Sequence, residues 1–487
     1  MWNMNMFCRL LQVSKLNAKY VEAHLLKHRG NDIMEKNLTT GNIWKTIFYF
    51  ALPYLFSYFL QTLYGMADLY ITGQFCGVDA ITAVANGSQV MHMLTVIIVG
   101  LAMGATVIVG RAVGAQKMDE AAAAIGNTIT LFLTVAAVLT VVLLITVSGI
   151  VDLIGTPEKA AAGTVQYLTI CFIGIPFITA YNIISSIFRG LGDSKSPMYF
   201  IAVACVLNIA LDYLFIGYFD LGPSGAALGT TLAQTFSVIT AFFAIRKKNT
   251  GIHLKKKDFY PAGNTMGQIL KIGIPVAVQD GFIQVAFIII TVIANHRGLD
   301  EAAAVGIVEK VISALFIVPS SMLATVSALA AQNIGAGKHD RAAETLRCAT
   351  IITTGYGLVI SAIVFQAAGS VLGIFTADAA VILLGSQYIR GYIWDCIFAG
   401  IHFSFTGFFC AYGKSYIGFI HNMIAIVLVR VPGSYLAAKF FPDTLLPMGM
   451  AAPAGSALSV LICVGAFICL KRRGMLGDQP TGSTGEN

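Results

Sequence analysis

The sequence predicts an all-α integral membrane protein with twelve transmembrane helices, arranged as two six-helix lobes related by a pseudo-two-fold axis along the membrane normal. Three observations predict it. Of the 487 residues, 57% are hydrophobic and 11% charged, with a mean hydropathy of +0.77, whereas soluble domains carry roughly a quarter charged residues. The apolar residues gather into runs long enough to cross a hydrocarbon layer about 30 Å thick as helices. Landmarks of the first half also recur in the second at a near-constant offset. The runs do not alternate apolar with polar, as residues 134–147 (TVAAVLTVVLLITV) illustrate, which excludes a transmembrane β-barrel.

Taken in order, residues 1–45 read as a polar, basic inner tail without the apolar core and cleavage site of a secretory signal. Met34 opens MEKNLTTGNIWK, which reads as a natural start. Residues 1–33 are therefore a mis-called start or a tail, with an amphipathic surface helix over 10–26 as the alternative. The spans of the N-lobe (46–246) are 46–73, 81–110, 124–149, 162–188, 197–218 and 225–245, each closed by charge, Gly or Pro. Residues 247–267 (KKNTGIHLKKKDFYPAGNTMG) form the one long polar linker. The C-lobe (268–473) follows with 268–295, 302–330, 346–373, 380–410, 415–438 and 448–470, and 474–487 read as a disordered tail.

Charge placement tests the count. Of 31 Lys and Arg, 25 fall in segments or at span ends (Lys271, Arg347) on one side if the twelve spans are right, three on the other side (Lys159, Arg297, Lys439) and three deep inside spans (Lys310, Arg390, Arg430). By the positive-inside rule the rich side, with both termini, is cytoplasmic. The nine cysteines form no CxxC pair and lie mostly in apolar runs, so neither a disulfide framework nor a zinc site is expected.

The repeat rests on three landmarks. Pro53 answers Pro275 at an offset of 222, Gly114 answers Gly335 at 221, and Gly192 answers Gly413 at 221. Six spans per half give both halves the same orientation, so a cleft between them is expected, as in alternating-access carriers. Small-xxx-small pairs such as Gly100/Gly104 and Gly110/Gly114 point to tight helix contacts within each bundle. The segment from Gly407 to Gly413-Lys414-Ser415 has one residue too many for a phosphate loop and follows no strand. No HExxH, GxSxG or TVGYG occurs in the spans, so no enzymatic, ATP-driven or potassium-channel reading has a positive feature.

Charges at membrane depth cost about 3 kcal/mol each on insertion scales, so each deep one is a functional candidate. The deep acids are Asp68, Asp212, Asp280, Glu309 and Asp395. Asn208 and Asp212 share a helix face at i, i+4, and Thr230 or Thr231 adds a hydroxyl. Two carboxylates, an amide oxygen and a hydroxyl are hard ligands suited to Na⁺, and two close carboxylates can also hold one proton between them. Gln61, Tyr64, Asp280, Gln284, Glu309 and Asp395 are the candidates for a substrate cleft, with Glu309 and Lys310 read as a local charge pair. Aromatic side chains facing the cleft suit a flat cationic cargo. His92, His402 and His421 read as helix-contact residues, since no second ligand lies at metal spacing.

Together ALPYLFSYFLQTLYGMADLYITGQF, GLAMGATVIVGRAVGAQ with its echo MLATVSALAAQNIGAGKHDRA, FRGLGDSKSPM and LVRVPGSYL resemble the multidrug and toxic compound extrusion (MATE) family, in its prokaryotic NorM and DinF branches. The resemblance covers residues from about Met34 to Arg473. It implies twelve helices in two lobes and export of organic cations or drugs in exchange for Na⁺ or H⁺, with no other cofactor and no enzymatic step. It carries the first-lobe cation site onto Asp68, Asn208, Asp212 and Thr230. The family's glutamate in helix seven is missing, since that stretch reads QDGFIQVAF. The expected protein is a monomeric, multi-pass antiporter of the inner (plasma) membrane. A lipid-linked oligosaccharide flippase of the wider superfamily and a non-transporting membrane scaffold are the competing readings; the flippase would need a strongly cationic cavity.

Overall fold

The computed structural model describes residues 38–247 and 252–477. The expectations for residues 1–37, for 248–251 in the linker and for 478–487 lie outside the described residues. Among these, ten helices are long and apolar enough to span a membrane, and two bent pairs complete twelve spans. The N-lobe holds α1 (Ile43–Phe75), α2 (Val78–Gly114), α3 (Met118–Leu153), α4 (Glu158–Ile173 with Ile175–Gly190), α5 (Lys195–Tyr218) and α6 (Gly222–Ile245). In the C-lobe are α7 (Gly263–Asn295), α8 (Leu299–Gly335), α9 (His339–Gln366), α10 (Ala379–Tyr392 with Asp395–Ala411), α11 (Ser415–Phe440) and α12 (Leu446–Arg472). Each expected span lies on one of these helices. The ninth differs most: it starts seven residues early, at His339, and stops at Gln366, and a separate short helix, Ala368–Gly373, follows.

Local chemistry sets the boundaries. Asn42 Oδ1 accepts from Lys45 N at 3.1 Å and caps α1, and Asp378 Oδ1 accepts from Ala380 N at 2.8 Å to start α10, each satisfying a free N–H of a first turn. Gly192 and Gly413 hold φ of 90° and 68°, which lets the chain turn sharply between the fourth and fifth span of each lobe. The fourth spans bend by 51° and 41°. Gly174, at the first break, precedes Asp395, the first residue after the second, by the same 221 residues as the sequence landmarks. Both fifth spans contain a π-helical segment, Tyr213–Tyr218 in α5 and Ile426–Arg430 in α11. The repeat is thus structural, down to its irregularities.

Large apolar side chains face outward. On α3 alone, Val138, Ile145 and Leu153 are 59%, 78% and 85% exposed. Water would penalise such a surface and hydrocarbon does not. The polar linker does not hang free. Its 3₁₀ turn, Lys256–Phe259, is bound to α3: Asn127 Nδ2 donates to Asp258 O at 3.1 Å, Thr130 Oγ1 donates to Phe259 O at 2.8 Å, and Asn127 Oδ1 accepts from Ala262 N at 2.7 Å.

The lobes meet along α1, α2, α7 and α8 on the half of the molecule that carries Leu38 and Leu476. A hydrophobic core there joins Ile47, Phe50 and Tyr54 of α1 to Met103, Val276 and Met322. Glycines permit the approach, and here the sequence expectation needs correction, because the α2 glycines serve the contact between lobes. A methyl at Gly104 would overlap Ile269 O of α7, and one at Gly100 would lie 2.8 Å from Ala277 Cα. Gly114 stands against Gln332 O and Gly335 against Arg111 O, a reciprocal pair of contacts at matching repeat positions. The hydrogen bonds repeat the reciprocity. Arg111 Nε donates to Ala411 O at 2.9 Å, and Gln332 Nε2 donates to Gly190 O at 2.9 Å. Tyr58 is the last α1 residue packed on this core, and Leu60, Tyr64, Ala67 and Ile71 beyond it pack only on N-lobe clusters, while along α7 a methyl on Gly281 would still come within 3.9 Å of Ile97 of α2. The lobes therefore close on the basic face, and toward the opposite one α1 packs only on its own lobe.

Replacing Gly114 with Val places a branched side chain against a backbone carbonyl that cannot yield, so the seam must open. In a background without native cysteines, spin labels at Lys117 and Asp340 should move apart in Gly114→Val; an unchanged distance contradicts the proposed closure.

Candidate functional site

The N-lobe brings together the four residues singled out in the sequence. Asp68 lies 25 residues into α1, ~37 Å along the helix from its start, in the half of the lobe away from the seam. Asn208 and Asp212 come from one face of α5, and Thr230 comes from α6. Asp68, Asn208 and Asp212 are 3%, 1% and 0% exposed. Thr230 Oγ1 donates to Asp68 Oδ2 at 3.1 Å, and Asn208 Nδ2 donates to Thr230 Oγ1 at 3.4 Å. The Asp212 carboxyl faces that of Asp68.

Two backbone features make room. Gly229 has no Cβ where one would strike Asp212 Oδ1, and Asp212 is the last regular α-helical residue before the π-segment of α5. Such segments commonly mark functional sites. The break of α4 at Gly174 seats Thr231, whose Oγ1 would lie 2.9 Å from a methyl there. Sequence reasoning named Thr231 as an alternative to Thr230, but missed Gly229 as part of the site and the α4 residues Tyr167 and Cys171, which flank the carboxyl pair. The one available signal was Gly174-Ile175-Pro176, which repeats the Gly273-Ile274-Pro275 of α7, although α7 runs through its copy unbroken.

The electrostatics are unbalanced. Asp68 Oδ1, Asn208 Oδ1 and both Asp212 carboxylate oxygens are buried without a hydrogen-bond donor, and so are Thr231 Oγ1 and Gln234 Oε1. No Lys or Arg pairs with either carboxylate among the described residues. Each unsatisfied buried acceptor costs about 1–3 kcal/mol and a carboxylate more. The hard oxygens therefore fit a small cation, or a proton shared between the acids.

The cleft candidates separate. Tyr64 Oη accepts from Gln234 Nε2 at 3.4 Å beside the same pocket, and Gln61 adjoins Tyr181. Asp280 faces α2 across the seam, its Oδ2 3.2 Å from where a methyl on Gly100 would stand. Gln284 is half-buried on α7. Glu309 and Asp395 lie within the C-lobe, where Glu309 Oε2 accepts from Thr291 Oγ1 at 3.3 Å and Asp395 is 1% exposed. The expected local pair with Lys310 does not form. Lys310 is exposed, while Glu309 turns toward Thr291 and Arg430 because α8 points the two neighbours to different faces. His402 and His421 pack edge to face at 5.4 Å, with His421 Nε2 3.1 Å from Thr406 Oγ1.

Thr230→Val removes the donor to Asp68 Oδ2 without changing side-chain size. Cation-free protein should lose about 1–3 kcal/mol, read as a lowered unfolding midpoint in detergent, and Gly229→Ala should also lower it by displacing Asp212. A midpoint at the wild-type value in both would refute this geometry.

The MatE family model matches the chain twice, over residues 53–214 and 275–436. The probable multidrug resistance protein YoeA of Bacillus subtilis is 26% identical over 88% of this chain and 94% of its own length. The probable multidrug resistance protein NorM of Thermotoga maritima is 24% identical over 83% and 88%. Among solved structures, a MATE protein in complex with MaL6 has a TM-score of 0.83 at 19% identity, covering 91% of this chain and 98% of that one. A MOP superfamily transporter from Pyrococcus furiosus, described as having a binding pocket whose reverse polarity suggests a different function, has a TM-score of 0.84 at 18% identity over 92% of this chain and all of that one. With both lobes matched by the model, the chain belongs to the MatE family and is a multi-pass membrane protein.

Proposed function

We propose that the protein is a secondary active antiporter that exports organic cations or drugs in exchange for Na⁺ or H⁺. It acts as a single chain in the inner (plasma) membrane, with both termini cytoplasmic. The observation that carries this reading is the donor-poor pair Asp68–Asp212, buried among unpaired oxygens on the side where α1 packs only on its own lobe. The names of the curated relatives support a drug-like cargo.

The geometry suggests a sequence of events. With the seam closed on the basic face, the N-lobe acids are reached from outside. A cation or proton entering there relieves the repulsion between Asp68 and Asp212 and is ligated by Asn208, with Thr230 holding the second Asp68 oxygen. The outer half of α1, which touches only its own lobe, repacks against α5 and α6. Cargo leaves as the cleft on that side changes shape. The ion shifts the balance between the two openings only through its different affinity for them, and return to the inward opening requires release of the Arg111 and Gln332 bonds. Acidic charge in the N-lobe favours cationic cargo over the pyrophosphate head group of a flippase.

Asp68→Asn should reduce ethidium flux driven by an imposed sodium or pH gradient in proteoliposomes by at least about tenfold, equivalent to ~1.4 kcal/mol, and leave the protein folded. Flux at the wild-type level under both gradients refutes the site, and the gradient that drives wild-type flux identifies the ion.

A further inference from the structure

The polar segment that joins the lobes is docked along the flank of α3, and its chemistry changes along that helix. Ile252 packs on the N-lobe core that contains Ile125 and Phe132. Asp258 is buried: its Oδ2 accepts from Lys255 N at 2.7 Å, and its carbonyl lies against Gly126, where a methyl would overlap it. With the bonds from Asn127 and Thr130, these contacts fix the turn Lys256–Phe259 on the helix. The outward side of the same segment holds Lys255, Lys256, Lys257, Phe259 and Tyr260, all exposed. Lys255 Nζ lies 3.4 Å from Asp119 Oδ1, whereas Lys256 and Lys257 pair with no acid among the described residues.

The depth of these groups follows from α3 itself. The helix has 36 residues and is ~54 Å long, well over the hydrocarbon thickness of about 30 Å, so its ends stand among the lipid headgroups. The apolar run expected to cross begins near residue 124. Asp119, the partner of Lys255, comes about five residues (~8 Å) before that point, and Thr130, which bonds the Phe259 carbonyl, about six residues (~9 Å) after it. The docked segment therefore climbs from headgroup level at Lys255 to the edge of the hydrocarbon at Phe259, and one turn farther the exposed Leu133 of α3 continues the apolar surface. Ammonium groups outermost and aromatic rings inward match the order of chemistry along a phospholipid, with phosphate outermost and acyl chain inward. Water would penalise the open rings of Phe259 and Tyr260, and the lysine stems are long enough to keep their charges at the phosphate level.

We propose that this turn and the flank of α3 seat the headgroup of an anionic phospholipid. Lys256 and Lys257 hold its phosphate, Lys255 stands beside them with Asp119, and Phe259 and Tyr260 lie along the glycerol and the upper acyl chain. Asn127 Oδ1 accepts from Ala262 N immediately before α7, so a lipid held here fastens the start of the C-lobe to α3 of the N-lobe. The seat uses none of the residues around Asp68 and does not depend on ion coupling.

The test measures lipid retained by the full-length protein in detergent, by native mass spectrometry, with phosphatidylglycerol and phosphatidylcholine of the same acyl chains. Wild type should retain phosphatidylglycerol in preference to phosphatidylcholine. A lysine near an anionic surface adds about fivefold in affinity, so combining Lys255→Gln, Lys256→Gln and Lys257→Gln should weaken phosphatidylglycerol retention at least about tenfold and leave phosphatidylcholine unchanged. These side chains are exposed, and the unfolding midpoint in lipid-free detergent should stay at the wild-type value. Replacing Lys471, Arg472 and Arg473 with Gln removes the same charge from another exposed site and should leave retention intact. No lipid preference in wild type, or an equal loss in both triple variants, overturns the proposal. Displacement of phosphatidylglycerol by millimolar inorganic phosphate also overturns it, since the turn would then be a site for the free anion.

Discussion

Two carboxylates held together, buried and without a basic partner among the described residues, are the constraint on which the rest of this structure depends. At an effective dielectric of about 20, two unit charges about 4 Å apart repel by about 4 kcal/mol, before any cost of bringing either to membrane depth. A fold of marginal stability does not retain such a pair without a compensating positive charge. Asp68 and Asp212 find none among the described side chains, and the oxygens around them are acceptors left open. Gly229 and the break of α4 at Gly174 keep the space in which the pair stands. Taking up one small cation or proton removes an energy worth up to about a thousandfold in an equilibrium constant.

In the proposed mechanism that energy acts on the seam between the lobes. The seam of Gly100, Gly104, Gly114 and Gly335 brings backbone against backbone between the lobes, and its polar bonds are reciprocal: Arg111 to Ala411 O, Gln332 to Gly190 O. Contacts through glycine and carbonyl are close but few in side-chain atoms, which suits surfaces that separate and reform. The symmetry stops at the charged sites. The N-lobe holds two facing acids, whereas the matching positions of the C-lobe are Ile290, Val429 and Gly433.

The sequence carried the fold almost completely, because lipid makes helix content and length obligatory and the apolar runs record them directly. The deep acids of the N-lobe were legible for a related reason: a charge inside a run of about 25 apolar residues stands out, and i, i+4 spacing places Asn208 beside Asp212. What stayed hidden depends on contacts between distant segments. That the α2 glycines serve the lobe seam instead of their own bundle follows from how α2 lies against α7 and α8, which spacing does not encode. Glu309 turning from Lys310 to Thr291 and Arg430 depends on the rotation of α8 in its lobe. Residues that shape the pocket by absence, such as Gly229, carry no chemical signal of their own.

The most direct measurement is the distance distribution between spin labels on the outer ends of α1 and α7, recorded while the coupling cation is titrated. The account predicts two populations whose ratio shifts with cation in the wild-type protein and becomes independent of it when both Asp68 and Asp212 are replaced by Asn. A wild-type response that persists undiminished in the double variant would contradict the claim that this pair converts ion binding into movement of the lobes.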